Sequence, residues 1–255
     1  MIHRRDFITL LGGAAVAWPL AARAQQAERM RRIAVLMGWS ESDPQFRSWI
    51  DTFVEGLAQL GWVDGRNVQI NVRWASGDVV RMRTFAKELV ELQPDVILGG
   101  TTPVTAALQR ETRTIPIVFV VVADPVGAGF VAGLPHPGGN ITGFLNAEAA
   151  IGGKWLEMLK EIAPRVTRVA LVFNPQSAPF ADLFLRPVKT AAPSLSVVPV
   201  GAAVMRDSDD VDRMFDALAR EPDWGLPDIS MTNYRKAIIA LAARHHLPAV
   251  YSFRH

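Results

Sequence analysis

The sequence contains no cysteine, which excludes disulfides, thiolate metal sites, iron–sulfur clusters and cysteine nucleophiles. Charged residues are sparse as well, at 20% of the 255 residues, whereas 49% of the residues are hydrophobic. Such a composition is too apolar for a disordered chain. The length suffices for one large domain or for two smaller ones, each with its own core.

A broad excess of positive charge is also missing, although the formal net charge is +2. Residues 1–24 contain Arg4, Arg5 and Arg23 against Asp6. Removing these from the 27 basic and 25 acidic residues leaves 24 of each. The rest of the chain is therefore neutral, and we expect no nucleic-acid partner.

No sequence motif indicates catalysis or a cofactor. G-x-S-x-G, H-E-x-x-H and Walker sequences are absent. The glycines of Gly127–Gly133 are similar to a dinucleotide fingerprint, but the third comes one place late and Asp124-Pro125 lengthens the turn before them. His245 and His246 would point about 100° apart on a helix, so they cannot chelate one ion from one face. We expect no enzymatic activity, no cofactor and no metal site; an α/β enzyme with a scattered site stays an alternative.

Residues 1–24 have the pattern of a secretory leader. Arg4-Arg5 is followed by an apolar run from Phe7 to Leu20 and by the small-x-small cleavage site Ala22-Arg23-Ala24. The run is shorter than the roughly 20 residues of a membrane span. The twin arginines indicate the Tat export route. We therefore expect a Tat-type signal peptide over 1–24 and a periplasmic mature protein.

Short apolar runs alternate with segments of helical periodicity in the rest of the chain. Ile33–Met37 is typical of a strand buried on both faces. Phe46–Leu60 has apolar residues three and four apart, with Asp43-Pro44 as N-cap and first helical residue. Asn67–Trp74 alternates, which predicts an edge strand.

The alternation runs to the strand predicted at Ile141–Phe144 and restarts with a helix near Gly153. This order predicts an α/β protein with two tandem, doubly wound parallel-sheet lobes. The first lobe is expected over residues 25–146 and the second over 147–255. The second lobe should contain strands at 168–173, 195–200 and 249–251, and Pro187 should kink or interrupt a helix between the first two.

Ligands of parallel α/β sheets bind beyond the carboxyl ends of the strands. Gly99-Gly100 would let the backbone approach a ligand closely, and the threonines that follow precede a helix whose free N–H groups can bind a carboxylate. Plain helix capping needs the same residues and stays an alternative. An exposed Trp39 could stack on a ligand. We expect residues at the strand ends of both lobes to contact the ligand. In the first lobe these are Trp39, Ser40, Gly100, Thr101, Thr102 and Asp124, and in the second lobe the residue is Asn174.

One long string resembles a known family. It reads D-P-V-x-x-G-x-V-x-x-L over residues 124–134 and continues as P-G-G-N-x-T-G over 137–143. Further matches lie at 61–68, 73–75, 154–157, 239–245 and 247–251. Over essentially its whole length the chain is similar to the tryptophan/tyrosine-type family of ABC-transporter substrate-binding proteins.

The resemblance implies a type I periplasmic-binding-protein fold that holds a small solute, such as an amino acid, between two hinged lobes. It also implies an inner-membrane ABC permease as partner, and we expect a monomer. A ligand-sensing lobe of a signalling system would have the same fold and stays an alternative.

The sequence departs from this family in two places. Members continue past the position of His255, and Trp224–Asp228 is short where they carry an apolar strand. Both departures fall in the second lobe, so we expect its sheet to be incomplete, with an unpaired edge or an exposed core.

Overall fold

The computed structural model describes residues 29–148, 150–174, 177–178, 181–204, 208–220, 232 and 234–251. The expected leader at 1–24 and the short stretch Trp224–Asp228 lie outside the described residues. The elements follow one another in the order β1 (Arg31–Met37), α1 (Pro44–Gln59), β2 (Val68–Trp74), α2 (Val79–Glu91), β3 (Val96–Gly100), α3 (Thr102–Glu111), β4 (Ile117–Ala123), β5 (Ile141–Ala147), α4 (Ile151–Ile162), β6 (Arg168–Phe173), α5 (Ala181–Ala191), β7 (Val198–Val204), α6 (Ser208–Arg220) and α7 (Arg235–Arg244).

The first lobe is built on a five-stranded parallel sheet with the strand order β2-β1-β3-β4-β5. The chain leaves β1 towards one edge and returns to β3 on the other side. Right-handed crossovers in both directions place helices on both faces of the sheet, and α2 packs beside α3. The predicted doubly wound lobe is confirmed, and so is the position of β2 at the sheet edge.

Local signals at the ends of α1 act as the sequence predicts. The Asp43 carboxylate accepts a hydrogen bond from the main-chain N–H of Gln45 at 3.1 Å, and Pro44 is the first helical residue. Gly61 follows the helix with φ of 88°, a conformation that costs glycine little. These local signals set where α1 begins, a short loop after the carboxyl end of β1, and where it ends.

Close approach between β4 and β5 depends on one glycine. Gly143 has φ of 156°, and a Cβ added there would lie 2.0 Å from the main-chain oxygen of Phe119. Only a residue without a side chain lets β5 pair with β4 at this point. β5 is the last strand of the first lobe, and the chain continues from it into α4 of the second.

In the second lobe, β6 pairs in parallel with β7 and carries apolar side chains on both faces. Val169 and Leu171 pack with α4 and α5 in one buried cluster. Ala170 and Val172 pack with α6 and α7 in another. This alternation shows that both faces of β6 are covered by helices, as its continuous apolar sequence predicts.

Three expectations for the second lobe need correction. The strand predicted at 195–200 begins later, as β7, because Pro193–Leu195 forms a 3-10 turn. Helix α5 continues through Pro187, so the proline does not interrupt it, and a kink there stays a prediction. Residues 249–251 form no strand; instead, their side chains pack against the two second-lobe clusters. A strand requires a ladder partner, and in the described part of the lobe β6 pairs with β7 alone, which leaves a partial second sheet.

Candidate functional site

The strand order locates a crevice between the carboxyl ends of β1 and β3. Connections leave β1 in one direction and reach β3 from the other, and ligands of open α/β sheets bind at such a switch point. Trp39 follows β1, while Gly100 ends β3 and Thr101 follows it. The N–H of Gly38 donates to the main-chain oxygen of Gly100 at 3.2 Å, which joins the two strand ends.

Trp39 is buried rather than exposed, which corrects the expectation of an open stacking platform: its side chain is 2% exposed. The ring stacks on Phe46 with centroids 4.4 Å apart, and Trp49 meets it edge-on at 5.5 Å. A Cβ at Gly100 would lie 3.1 Å from the Trp39 ring, so the glycine makes room for the indole. The Trp39 Nε1–H has no hydrogen-bond partner within the described part of the chain.

Thr101 combines backbone strain with a second unpartnered polar atom. Its φ of 102° is one that a β-branched residue rarely adopts. Its main-chain oxygen accepts from the Thr105 hydroxyl at 2.9 Å, and its N–H donates to Val120 at 3.0 Å. The Thr101 Oγ1 is buried and finds no partner in the part of the chain that the structure describes. Strain and unpaired buried polar atoms are features that a folded protein retains at functional sites.

Thr102 lies at the start of α3 and lines a pocket that second-lobe residues also line. Its hydroxyl accepts from the main-chain N–H of Ala123 at 3.1 Å, which ties the helix to the end of β4. Thr102 and Gly127 also line a pocket of about 430 Å³ whose other wall includes Asp182 and Leu183 of α5. The amino-terminal end of α3 therefore lies beside a space shared by both lobes.

The remaining predicted residues lie in separate surroundings. The Asp124 carboxylate accepts from the N–H of Gly127 at 2.9 Å and so stabilises the turn after β4. Ser40 lines a different pocket, made of first-lobe residues, and its hydroxyl lies 2.9 Å from that of Ser42. Asn174 is buried at the carboxyl end of β6, and its main-chain oxygen accepts from Ala178 at 2.7 Å. The structure thus brings Trp39, Gly100 and Thr101 together at the crevice, with Thr102 at the neighbouring pocket between the lobes.

The structure contains an ion pair between the lobes that the sequence did not predict. Arg235 of α7 donates from Nη2 to Asp43 Oδ1 at 2.9 Å, and from Nη1 to Asp43 Oδ2 and to the main-chain oxygen of Thr232. Its guanidinium lies 5.7 Å from the centre of the Phe46 ring. The hydrogen bond from Arg235 holds the pKa of Asp43 below its usual range. The sequence shows Asp43 as a helix cap, but no local pattern links it to an arginine 192 residues away.

Metal-binding clusters and membrane-spanning helices are both missing from the part of the chain that the structure describes. Groups of three or more His, Cys, Asp or Glu side chains placed to hold a metal ion were not found among them. Of the helices that the structure describes, none is both long and apolar enough to cross a bilayer.

The sequence matches the model of a known protein family. Residues 34–249 match the model of the ABC transporter substrate binding protein family. A tyrosine-binding protein of Clostridioides difficile is 32% identical over 122 residues, which are 48% of this chain and 35% of that relative, so the match spans about a third of the relative's length. A crystal structure of a conserved domain protein from Vibrio cholerae is 29% identical, with a TM-score of 0.77 over 88% of this chain and 75% of that one.

A structure from Streptococcus pneumoniae, described as an ABC domain in complex with L-Trp, shares the fold at 21% identity. Its TM-score is 0.73 over 86% of this chain and 73% of that chain. The two-lobed type I periplasmic-binding-protein fold expected from the sequence is therefore confirmed. With the family model covering most of its length, the chain belongs to the ABC transporter substrate-binding protein family.

Proposed function

We propose that this chain is the solute-binding component of an ABC importer and captures a small carboxylate-bearing solute, an aromatic amino acid, between its lobes. One observation carries the proposal: the indole N–H of Trp39 and the hydroxyl of Thr101 are both buried beside the crevice, and neither finds a partner among the residues that the structure describes. A bound solute would satisfy these groups, which otherwise cost about 1–3 kcal/mol each.

The start of α3 supports a carboxylate as the group recognised. Helix N-termini carry free N–H groups and a partial positive charge, and Thr101 makes no side-chain cap bond there. Thr102 at the first turn already faces the pocket between the lobes. Gly100 and Asp124 would complete the first-lobe wall, and Asn174 would face it from the second.

Aromatic amino acids are suggested by the relatives, since one is a tyrosine-binding protein and another was solved with L-Trp. Closure of the lobes would require that the solute bind the closed form better than the open one. The role involves no covalent chemistry and no cofactor. The closed, loaded protein would then dock as a monomer on an inner-membrane permease.

The domain assignment and the cell compartment belong to the same proposal. Residues 1–24 would act as a Tat-type signal peptide, with lobes over 25–146 and 147–255 and a periplasmic mature protein. N-terminal sequencing of the exported protein should recover Gln25 as the first residue. Recovery of Met1 would contradict the proposed leader.

Calorimetric titration with L-Trp, L-Tyr and L-Phe, and with the corresponding amines that lack the carboxylate, tests the solute class. The acids should bind and the amines should bind at least about tenfold more weakly, because each hydrogen bond to a charged group contributes about 1.5–3 kcal/mol. Thr101→Val with Thr102→Val should reduce affinity for the acids. Thr84→Val, which removes an exposed hydroxyl on α2, is the matched control. Equal affinity for acids and amines would contradict a carboxylate site.

A further inference from the structure

A second pocket lies at the carboxyl ends of β1 and β2, on the side of β1 away from the switch crevice. It measures about 580 Å³, and all of its lining residues belong to the first lobe. Three guanidinium groups and three serine hydroxyls line it, against one acidic side chain, that of Glu41. The cationic and hydroxyl residues are Arg47, Arg73, Arg81, Ser40, Ser42 and Ser76.

Two of the guanidinium groups are held in place by the backbone of β2. Arg73 donates from Nη1 to the main-chain oxygen of Val72 at 3.1 Å. Arg81 donates from Nη2 to that of Trp74 at 3.1 Å, and its guanidinium lies 5.5 Å from the centre of the Phe85 ring. A guanidinium has five N–H donors, so one bond to a carbonyl positions the group and leaves donors for a ligand.

Two carboxylates lie near these arginines, at the outer limit of an ion-pair distance. Arg47 lies 3.9 Å from Glu41, with both side chains at least 60% exposed. Arg73 lies 3.7 Å from Glu88, with both at least 40% exposed. The three guanidinium groups exceed these two carboxylates by one charge, so a net positive charge remains among them.

The loops that carry the serines are connected to each other. The N–H of Ser76 donates to the main-chain oxygen of Trp39 at 3.1 Å, which ties the loop after β2 to the loop after β1. The hydroxyls of Ser40 and Ser42 lie 2.9 Å apart. Hydroxyl donors and guanidinium groups thus converge on one space without any contribution from the second lobe.

We propose that this pocket is a second binding site, for a small anion with two or more negative charges, such as an organic phosphate or a polycarboxylate. Planar guanidinium groups match the paired oxygens of both groups, and several of them together favour a multivalent ligand. The site goes beyond the proposed solute function because it is separate from the space between the lobes. Its occupancy does not require lobe closure.

Calorimetric titration of the full chain with pyrophosphate and with citrate, at low ionic strength, tests the site. Each titration is repeated with sodium chloride at matched ionic strength. The proposal predicts saturable binding of at least one of the two anions, with one site per chain and no heat of binding from chloride. Binding of pyrophosphate alone would assign a phosphate ligand, and binding of citrate alone a polycarboxylate.

Arg73→Gln with Arg81→Gln should weaken this binding at least about tenfold, because two charge-assisted contacts are lost. Arg66→Gln with Arg83→Gln is the matched control: it removes the same charge from exposed positions outside the pocket, one of them on the same helix as Arg81. Equal losses in both double variants would show an effect of net charge alone and overturn the site. Absence of saturable binding up to about 10 mM, a concentration above even weak affinities, would overturn it as well.

The lysine pair Arg73→Lys with Arg81→Lys keeps the charge and removes the guanidinium geometry. It should bind more weakly than the unmodified chain and more tightly than the glutamine pair. Circular dichroism and melting of each variant establish that it is folded before titration. A folded lysine pair that binds as tightly as the unmodified chain, or more tightly, would overturn recognition by the guanidinium geometry.

Discussion

Arg235, on the last described helix of the second lobe, donates two hydrogen bonds to the carboxylate of Asp43, which caps the first helix of the first lobe. Both side chains are mostly buried, at 14% and 15% exposed. Asp43 therefore has two tasks: it starts α1 with one oxygen and binds the opposite lobe with both. The pair joins the lobes close to the aromatic cluster of Trp39, Phe46 and Trp49.

Asp43→Asn separates these two tasks. Asparagine caps helices about as well as aspartate but cannot form the ion pair with Arg235. We expect the free energy of unfolding to fall by about 1–3 kcal/mol, since the guanidinium stays partly buried without its counter-charge. Urea denaturation measures this change.

Asp78→Asn is the matched control for that variant, because Asp78 caps α2 through the N–H groups of Val80 and Arg81. It should change the free energy of unfolding by less than about 0.5 kcal/mol. A similar loss in both variants would show that Asp43 stabilises the protein as a cap alone.

The same pair predicts how stability depends on pH. The hydrogen bond from Arg235 lowers the pKa of Asp43 in the folded protein. A carboxyl with a lowered folded pKa adds stability above its unfolded pKa of about 3.9, and this stability is lost as the pH falls through the folded value. Below about pH 4 the unmodified protein should therefore lose stability more steeply than Asp43→Asn. Urea denaturation from neutral to acidic pH follows the two slopes.

Some acid sensitivity should persist in Asp43→Asn. The pKa of Asp95 is also lowered, first by the N–H of Arg32 and then by the Arg31 side chain. Identical slopes for the variant and the unmodified protein below about pH 4 would exclude Asp43 as a source of the dependence.

Replacement by valine should affect the stability of the protein differently at two buried threonines near the start of α3. The Thr101 hydroxyl has no partner within the described residues, so Thr101→Val removes an unsatisfied group and should leave the ligand-free protein unchanged or more stable by up to about 2 kcal/mol. The Thr105 hydroxyl donates to the main-chain oxygen of Thr101 at 2.9 Å. Thr105→Val should therefore cost about 1–2 kcal/mol.

Thermal and urea denaturation of the two valine variants, without added solute, compare them directly. Both replacements exchange a buried hydroxyl for a methyl group, at the N-cap and within the first turns of α3, so the difference reports mainly on the hydrogen bond. A destabilisation by Thr101→Val as large as that by Thr105→Val would show that the Thr101 hydroxyl is satisfied in solution, by water for example.

Gly143→Ala should disrupt the pairing of β4 with β5. The added methyl group would lie 2.0 Å from the main-chain oxygen of Phe119, which no rotamer change can relieve. We expect a loss of more than about 3 kcal/mol, measured by denaturation. Gly56→Ala, inside α1 and with nothing within 4 Å of the added carbon, is the control and should stabilise by about 0.5–1 kcal/mol. A tolerated Gly143→Ala would mean that β5 can move away from β4.

Local chemistry determined much of this fold. Asp43-Pro44 caps α1, β1 is apolar from Ile33 to Met37 because that part of the strand lies in the core, and β2 alternates because it lies at the edge. Each of these features depends on neighbours in the sequence, where capping, periodicity and turn preferences operate. The family, too, follows from the long motif at 124–143.

Tertiary structure alone decided where the chemistry lies. A tryptophan after a strand looks exposed in the sequence, yet Trp39 is buried because Phe46 and Trp49 of α1 return over it. The strained backbone of Thr101 arises only when β3 and α3 pack together. The same packing buries its Oγ1, which finds no partner among the described residues. Residues 249–251 form no strand because ladder bonds need a neighbour that no local pattern can supply. Arg235 meets Asp43 because folding closes a separation of 192 residues, and the free energy of such a contact depends on distance in space.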